Sequence, residues 1–393
     1  MKSWPRLVKK IIDIIFWPLA LPIDLAYRFR RFAYNYNIFK GHEFHVPIIS
    51  VGNISFGGTG KTPLVIWISE YLSTLNKKVM ILTRGYRGKL EHSRGIIRSG
   101  TKLGISPIDF GDEALLLARR PKHASLVVGK NRVRNLETYF SSELPDVVLL
   151  DDGFQHLRLK RQLNIVLFDA RMDLARYKVA PRGYLRESLS ALRDADVVMI
   201  GRCNQVAAAQ KEKLKQLLAP YLSEYVIVAE TYYRTMGVFD ANYRLAYKTE
   251  ELKGKRVVLA AGIASPQSFF KMVEALGAII VQTAVFPDHH YYNLAEIKAL
   301  MAAAHDLDAV LLVTEKDIVK MRRYADPEAL FFLEIEVAFL QGEEAFKARL
   351  RQVCDNFTGT TPMEAPAVSA APNMRPSPEV AEVKEEQHTG RPQ

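Results

Sequence analysis

The run Ser55-Phe56-Gly57-Gly58-Thr59-Gly60-Lys61-Thr62 follows the apolar stretch Val46 to Val51 and precedes a helix-like segment. A glycine-rich turn leaving a buried strand points its backbone N–H groups at phosphate oxygens. The helix that follows adds the positive end of its dipole, and Lys61 adds a mobile cation. Thr62 then offers its hydroxyl to Mg²⁺. Ser55 stands where the phosphate-loop pattern has its first glycine, while the Gly-Lys-Thr end that carries the chemistry is intact. Alone, the run also reads as a glycine-rich surface turn.

A second motif supports the phosphate reading. Val147-Val148-Leu149-Leu150 is a short apolar run ending in Asp151-Asp152. That is the pattern of a buried parallel strand delivering carboxylates to the sheet edge where the phosphates sit. A cradle for phosphate and an acid for its metal need each other, so the pair points to a nucleoside triphosphate. Asp151-Asp152-Gly153-Phe154-Gln155-His156 places further oxygen and nitrogen donors just past the strand end, which suits magnesium coordination and phosphate contact better than packing.

Three other stretches carry reactive side chains. Asp112-Glu113 in Phe110-Gly111-Asp112-Glu113 either caps the helix that follows or faces a substrate. In Phe286-Pro287-Asp288-His289-His290-Tyr291 the histidines bind metal, relay protons or simply end a strand. Neighbouring positions on a helix point about 100° apart, so one catalytic imidazole is more natural than joint ligation of a metal. Thr83-Arg84-Gly85-Tyr86-Arg87-Gly88 suits an anionic headgroup, and equally an ordinary loop.

Positioning these groups needs a sheet. From residue 46 apolar runs alternate with helix-like segments: Val79 to Leu82, Leu126 to Val128, Val147 to Leu150, Ile165 to Phe168, Val197 to Ile200 and Tyr225 to Val228. This alternation predicts an α/β fold with a mostly parallel, P-loop-like sheet. Tyrosines, charges and a turn at Asp240-Ala241-Asn242 then mark a β linker, and a second, smaller α/β unit begins at Val257. The expected organisation is an N-terminal segment 1–40, a P-loop domain 41–230, a linker 231–250, a second domain 251–354 and a disordered tail 355–393. That tail is rich in Pro, Ala, Glu and Ser, too poor in large apolar side chains to offset the entropy of ordering.

The 393 residues carry a net charge of +11, which favours an anionic partner. Cys203 and Cys354 lie far apart with no metal-ligand spacing, so neither a disulfide framework nor a zinc site is indicated, and a reducing cytoplasm is the natural compartment. Residues 1–40 concentrate Lys and Arg beside Ile, Phe, Trp and Leu. On a helical wheel Leu7, Val8, Ile11, Ile14 and Ile15 share one side and Lys9, Lys10 and Asp13 another, the pattern of an interfacial helix or of a helix packed on a protein core. Pro18, Pro22 and two aspartates argue against a membrane span, and no signal-peptide cleavage site follows. Basic residues lie beside membrane-seeking side chains rather than aromatic stacking platforms, which disfavours nucleic acid.

Together with Leu185-Arg186-Glu187 and Thr314-Glu315-Lys316-Asp317, these motifs keep an order and spacing from about residue 4 to 350 that resembles the tetraacyldisaccharide 4′-kinases, the lipid A 4′-kinases. The resemblance implies an enzyme of the cytoplasmic face of the bacterial inner membrane. It would move the γ-phosphate of ATP to the 4′-hydroxyl of a tetraacyl disaccharide 1-phosphate, forming lipid IVA. It also implies two α/β domains joined by a β linker, with nucleotide and glycolipid in the cleft between them. Carried onto this chain, Asp112 is the catalytic acid or base and His289 its partner from the second domain, while Ser55 to Thr62 hold ATP. Thr62, Asp151, Asp152 and Gln155 hold Mg²⁺ directly or through water. The anionic membrane surface is then the docking partner of the N-terminus.

Two other classes share parts of this pattern. A P-loop GTPase or ATPase of cofactor or metal-centre assembly also uses a phosphate loop and strand-end carboxylates. A guanine site generally wants Asn/Thr-Lys-x-Asp, however, and the lysine of Thr314-Glu315-Lys316-Asp317 is displaced by one position. A non-catalytic membrane-bound nucleotide-binding scaffold has little reason to keep Asp112, His289 and both acids at 151–152.

Overall fold

The computed structural model describes residues 6–98, 106–121, 123–326 and 328–357. In chain order the first half holds α1 (Arg6–Asn35), β1 (Ile48–Gly52), α2 (Lys61–Thr74), β2 (Val79–Thr83), β3 (Gly95–Ile97), α3 (Pro107–Phe110), α4 (Asp112–Arg119), β4 (Ala124–Val128), α5 (Arg132–Glu143), β5 (Val147–Asp151), β6 (Leu163–Asp169), β7 (Val197–Gly201) and α6 (Ala208–Leu218). The long β8 (Ile227–Asp240) leads on to β9 (Leu245–Tyr247), β10 (Arg256–Ala261), α7 (Pro266–Ala275), β11 (Ile279–Val285), α8 (Leu294–Asp306), β12 (Val310–Thr314), α9 (Glu315–Met321), β13 (Leu330–Gln341) and α10 (Glu343–Asp355). The expected tail lies, from residue 358, outside the described residues.

The fold is α/β, built on one sheet in the order β11-β10-β12-β13-β8-β7-β6-β1-β5-β2-β4-β3, with β9 on β8. The sheet is mixed. Two parallel blocks meet where β13 runs antiparallel to β8, Phe332 opposite Phe239 and Val337 opposite Tyr233. The segment read as a linker is thus the end of β8, the short β9 and a 3₁₀ turn at Thr249–Leu252, and the strand pairing runs through it without a break. The central strands are mostly apolar because helices cover both faces: Ile48, Ile49 and Val51 of β1 and Val147 to Leu150 of β5 are fully buried. Leu64, Val65, Ile68 and Leu72 of α2 pack on one face, joined by Phe346 and Leu350 of α10.

This topology decides where the chemistry sits. β1 lies between β5 and β6, parallel to both, and Val51 is in register with Asp151. The glycine-rich turn after β1 and the acids after β5 therefore leave the same edge side by side, at the switch point where open α/β sheets bind ligands.

α1 continues through Pro18 and Pro22, and among the described residues no helix is long and apolar enough to cross a membrane. The amphipathic face read on residues 7–15 involves side chains outside those described. From Trp17 on, the helix docks by a polar anchor. Buried Arg31 donates to both Glu187 oxygens (2.6 and 2.9 Å) and to Asp194 (2.8 Å), and lies 4.2 Å from the centre of the Phe154 ring. Trp17, Leu25 and Phe29 meanwhile remain more than half exposed, and Phe32 nearly half.

Breaking a buried ion pair strands the remaining charge, so Arg31→Ala is expected to cost about 3–5 kcal/mol in urea denaturation, and Arg31→Met combined with Glu187→Gln distinctly less.

Candidate active site

The two sequence motifs form one wall of a cavity of about 590 Å³. Gly57 to Pro63 line it, opposite Ile263, Phe269 and Met272 of the second half. Gly57 takes φ +95°, and a Cβ placed on Gly57 or Gly58 would meet nothing within 4 Å, so this stretch of backbone is open to a ligand. Gly60 caps α2 at φ +93°, and a Cβ there would collide with the Tyr233 hydroxyl of β8. Only glycine allows that close roof. Arg202, just past β7, stacks over Tyr233 and donates to the Gly58 carbonyl (3.1 Å).

Lys61, the first residue of α2 after the cap, reaches Asn53 Oδ1 and Asp152 Oδ1, both at 3.3 Å. Asp152 adopts φ +48° and is shared with Arg186 (3.1 and 3.2 Å), so the two cations hold its carboxyl below the ordinary range despite burial. Asp151 is its opposite. It accepts from the Thr83 hydroxyl (2.9 Å), while its Oδ1 is buried without a partner. Burial, then the charges of Glu113 and Asp152, push its carboxyl up to about 6. An orphaned, buried carboxylate oxygen beside a phosphate cradle fits a divalent cation, with Thr62 on the same cavity wall. No cluster of three or more His, Cys, Asp or Glu side chains set to hold a metal occurs among the described residues, so phosphate oxygens and water would complete such a shell.

The remaining candidates divide. Ser55 is buried and pairs with Leu185 as an isolated bridge, and Phe56 lies against Arg186, so neither lines the cavity. Gln155, read with the metal set, donates to the Asn53 carbonyl (2.8 Å) and to Glu187 (2.7 Å). Its amide braces the turn and links it to the α1 anchor.

The opposite end of the cavity is built from both halves. Asp112 opens α4 after Gly111, whose φ of +86° and tight approach to the Tyr86 carbonyl exclude a side chain. His289, at φ +63°, brings Nδ1 to 3.1 and 3.2 Å from the Asp112 oxygens across 177 residues of sequence. Lys316, after β12, lies 3.1 Å from Glu113, 3.6 Å from Asp288, 3.8 Å from Asp112 and 3.4 Å from His289 Nε2. Burial alone would raise the Asp112 carboxyl, but the His289 hydrogen bond and the charges of Lys316 and His289 outweigh it and hold it below the carboxylate range. Burial likewise opposes the Lys316 charge, and Glu113, Asp112 and Asp288 outweigh it, raising its pKa. The carboxylate itself is 6 % exposed, and it is His289, with Glu113 and Lys316, that lines the cavity. His289 Nε2 also lies 3.8 Å from Asp288, so the imidazole stands between Asp112 on one side and Lys316 and Asp288 on the other.

Several readings left open in the sequence close here. His290 bonds Glu296 (3.1 Å) and stacks on Phe286, away from the dyad. The arginine-rich loop 83–88 packs its backbone on the turn before Asp112, where a Cβ on Gly88 would lie 2.7 Å from Gly111 N, and its Arg84, Tyr86 and Arg87 line the cavity, which leaves an anionic headgroup open to it. Asp317 is fully buried and takes the Gly262 amide (3.0 Å), the Thr314 hydroxyl (2.6 Å) and the Tyr292 hydroxyl (3.1 Å), so it does not face a nucleobase. Arg202 and Tyr233 were not singled out from the sequence. Arg202 follows a strand end, the one signal that pointed to it.

A family model described as tetraacyldisaccharide-1-P 4′-kinase (LpxK) matches residues 12–355. A tetraacyldisaccharide 4′-kinase of Halothermothrix orenii is 33% identical over 334 residues, 82% of this chain and 87% of that protein. One of Geobacter metallireducens is 35% identical over 317 residues, 80% and 89% of the two chains. A crystal structure of LpxK from Aquifex aeolicus, described as an "apo" form in complex with ATP, superposes with a TM-score of 0.70 at 26% identity, covering 87% of this chain and 99% of that one.

The raised Asp151 carboxyl has a measurable sign. Its pKa is near 3.8 unfolded and about 6 folded, so in metal-free protein its ionisation weakens the fold as pH rises from about 4 to about 6 and no further above. With divalent cations chelated, Asp151→Asn is expected to gain stability over the parent across that range, levelling off on the order of 3 kcal/mol, in melts taken from pH 4 to pH 8. The same variant should lose the tightening of nucleotide binding by Mg²⁺.

Proposed function

The chain belongs to the tetraacyldisaccharide 4′-kinase family and is an ATP-dependent lipid A 4′-kinase; from that premise we propose how its residues carry out the transfer. The acceptor is the 4′-hydroxyl of a tetraacyl disaccharide 1-phosphate and the product lipid IVA. The supporting observation is one cavity with a phosphate cradle, Gly57 to Thr62, on one wall and the cross-half pair Asp112–His289 on another.

The β- and γ-phosphates lie on the backbone of Gly57 to Thr62, and Lys61 turns from Asp152 and Asn53 to the bridging oxygens. Thr62 and Asp151, with Asp152 beside them, would hold Mg²⁺, which would supply charge neutralisation on the triphosphate. The acceptor hydroxyl stands between the γ-phosphorus and His289. As the new O–P bond forms and the bond to the β-phosphate oxygen breaks, the hydroxyl proton passes to the Asp112–His289 pair. The imidazole faces the cavity, and Asp112 orients it and balances the charge of the proton it takes up. Lys316 keeps Asp112 ionised and screens Glu113 and Asp288 from the incoming phosphates. Because the proton acceptor is shared between halves, the site is complete only when they are together, and this excludes water that would otherwise take the phosphoryl group.

The exposed apolar face of α1, with Trp17 at 52 %, Leu25 at 52 % and Phe29 at 59 % exposure, supports peripheral attachment to the inner membrane at its cytoplasmic face. The acceptor's acyl chains then stay in the bilayer while the sugar enters the cavity.

Asp112→Asn and His289→Asn should each lower kcat about 100- to 10,000-fold while leaving ATP affinity within about twofold, whereas Lys61→Ala should weaken ATP binding itself. Isothermal titration with a non-hydrolysable analogue, alongside transfer of labelled phosphate to the glycolipid, separates the two. Equal loss of affinity in all three variants would remove the dyad's assigned role.

Leu25→Ser with Phe29→Ser should reduce partition into anionic vesicles about tenfold or more with the melting temperature unchanged, and unaltered co-sedimentation would place that face against protein instead.

A further inference from the structure

The glycine-rich turn is fixed where it begins. Ser55 pairs with Leu185, and the Phe56 N–H donates to the Tyr184 carbonyl (2.8 Å). Gly57 and Gly58 come next, with no side chains to pack, so rotation of their peptides costs little. A phosphate cradle needs its N–H groups to face one way, and glycine does not supply that order. It has to be imposed from outside the turn.

Arg202 is placed to impose it. It follows Gly201 at the end of β7 with φ +60° and ψ +32°, a left-handed conformation that a residue with a Cβ rarely adopts and that clusters at functional sites. Its guanidinium forks: one Nη donates to Asp169 (2.6 Å) and the other to the Gly58 carbonyl (3.1 Å). The group lies 5.4 Å from the centre of the Tyr233 ring, and its Nε is buried without a partner. The side chain lines the cavity and is 11 % exposed. Asp169, at the end of β6, also accepts from Arg171 Nη2 and Nε (2.9 and 3.1 Å). Burial would raise the Asp169 carboxyl, but the Arg171 hydrogen bond and the charges of Arg202 and Arg171 outweigh it. One carboxylate thus serves two guanidinium groups, and positive charge is left over beside the turn.

In a planar trans peptide the C=O and the N–H of the next residue point in opposite directions. Holding the Gly58 carbonyl on Arg202 therefore turns the Thr59 N–H to the other side of the turn. Thr59 lines the cavity, and its hydroxyl is buried with no partner among the described residues.

We propose that Arg202 is a positioning residue for phosphoryl transfer: anchored on Asp169 and against the Tyr233 ring, it pins the Gly58 carbonyl and so presents the Thr59 N–H and hydroxyl to the triphosphate. This rests on the kinase reading above and adds to it the group that orders the cradle. A turn without the pin keeps Lys61 and Thr62 but has to be ordered by the nucleotide itself, and the cost appears as lost affinity for phosphate.

The test uses the full chain with Mg²⁺ and compares the parent with Arg202→Gln and Arg202→Lys. Titration calorimetry measures binding of a non-hydrolysable ATP analogue and of inorganic tripolyphosphate, which carries the phosphates without the base. Transfer assays give KM for ATP and for the glycolipid, and melting curves verify folding. Arg202→Gln should weaken both phosphate ligands about tenfold and raise KM for ATP by a similar factor, with KM for the glycolipid within about twofold of the parent. The ammonium of Arg202→Lys reaches Asp169 or the carbonyl without forking to both, so its loss should be about threefold. That variant decides the question should the glutamine variant fail to fold. Parent-like binding of both phosphate ligands overturns the pin, and so does a parent blind to tripolyphosphate. Loss of the analogue with tripolyphosphate unchanged overturns it too, by assigning Arg202 to the base or ribose. An equal rise in both KM values would make the role a general structural one. A parent that binds both ligands yet labels no glycolipid overturns the kinase reading, while the pin stands or falls on the titrations.

Discussion

The structure depends on a charge junction between its two halves. Asp112 and Glu113 begin one short helix and Glu315 begins another, and the two helices are packed together with Asp288 close by. Four carboxylates in so small a volume would drive the halves apart or take up protons. Lys316, Arg119 and Arg120 prevent it: Lys316 reaches Asp112, Glu113 and Asp288, while the arginines take Glu315 and Glu334. The result holds the halves in register and keeps Asp112 ionised against His289. Cohesion of the fold and the ionised state of Asp112 come from the same interactions.

A second polar chain joins the outer helix to the centre. Arg31 binds Glu187, Glu187 accepts from Gln155, and Gln155 donates to the Asn53 carbonyl beneath the glycine-rich turn. Arg186, the neighbour of Glu187, holds Asp152. The helix carrying the exposed apolar face is therefore tied through hydrogen bonds to the glycine-rich turn.

Much of the site was legible because its parts are local. The Gly-Lys-Thr end of the cradle, the acids after an apolar strand and the alternation of strands with helices all express short-range rules of turn geometry and burial, and the structure places them as read. Gln155 was harder to read. The sequence does not show where its amide nitrogen goes, which is to the Asn53 carbonyl and to Glu187, neither adjacent to it in the chain. Tyr233 and Arg202 gave almost no signal, since their importance lies in standing over Gly58 and Gly60 from strands elsewhere in the sheet.

The same distinction holds for the whole chain. By itself the sequence determined the elements and their chemical endowment, because periodicity, glycine at positive φ and strand-end carboxylates act over a few residues. Tertiary structure alone decided that β8 and β13 merge two parallel blocks into one sheet, that Asp151 keeps an unpartnered oxygen, and that an imidazole 177 residues away closes on Asp112. Those outcomes rest on burial and on electrostatics between groups remote in the chain, whose strength depends on distances and local dielectric that exist only after the sheet has formed.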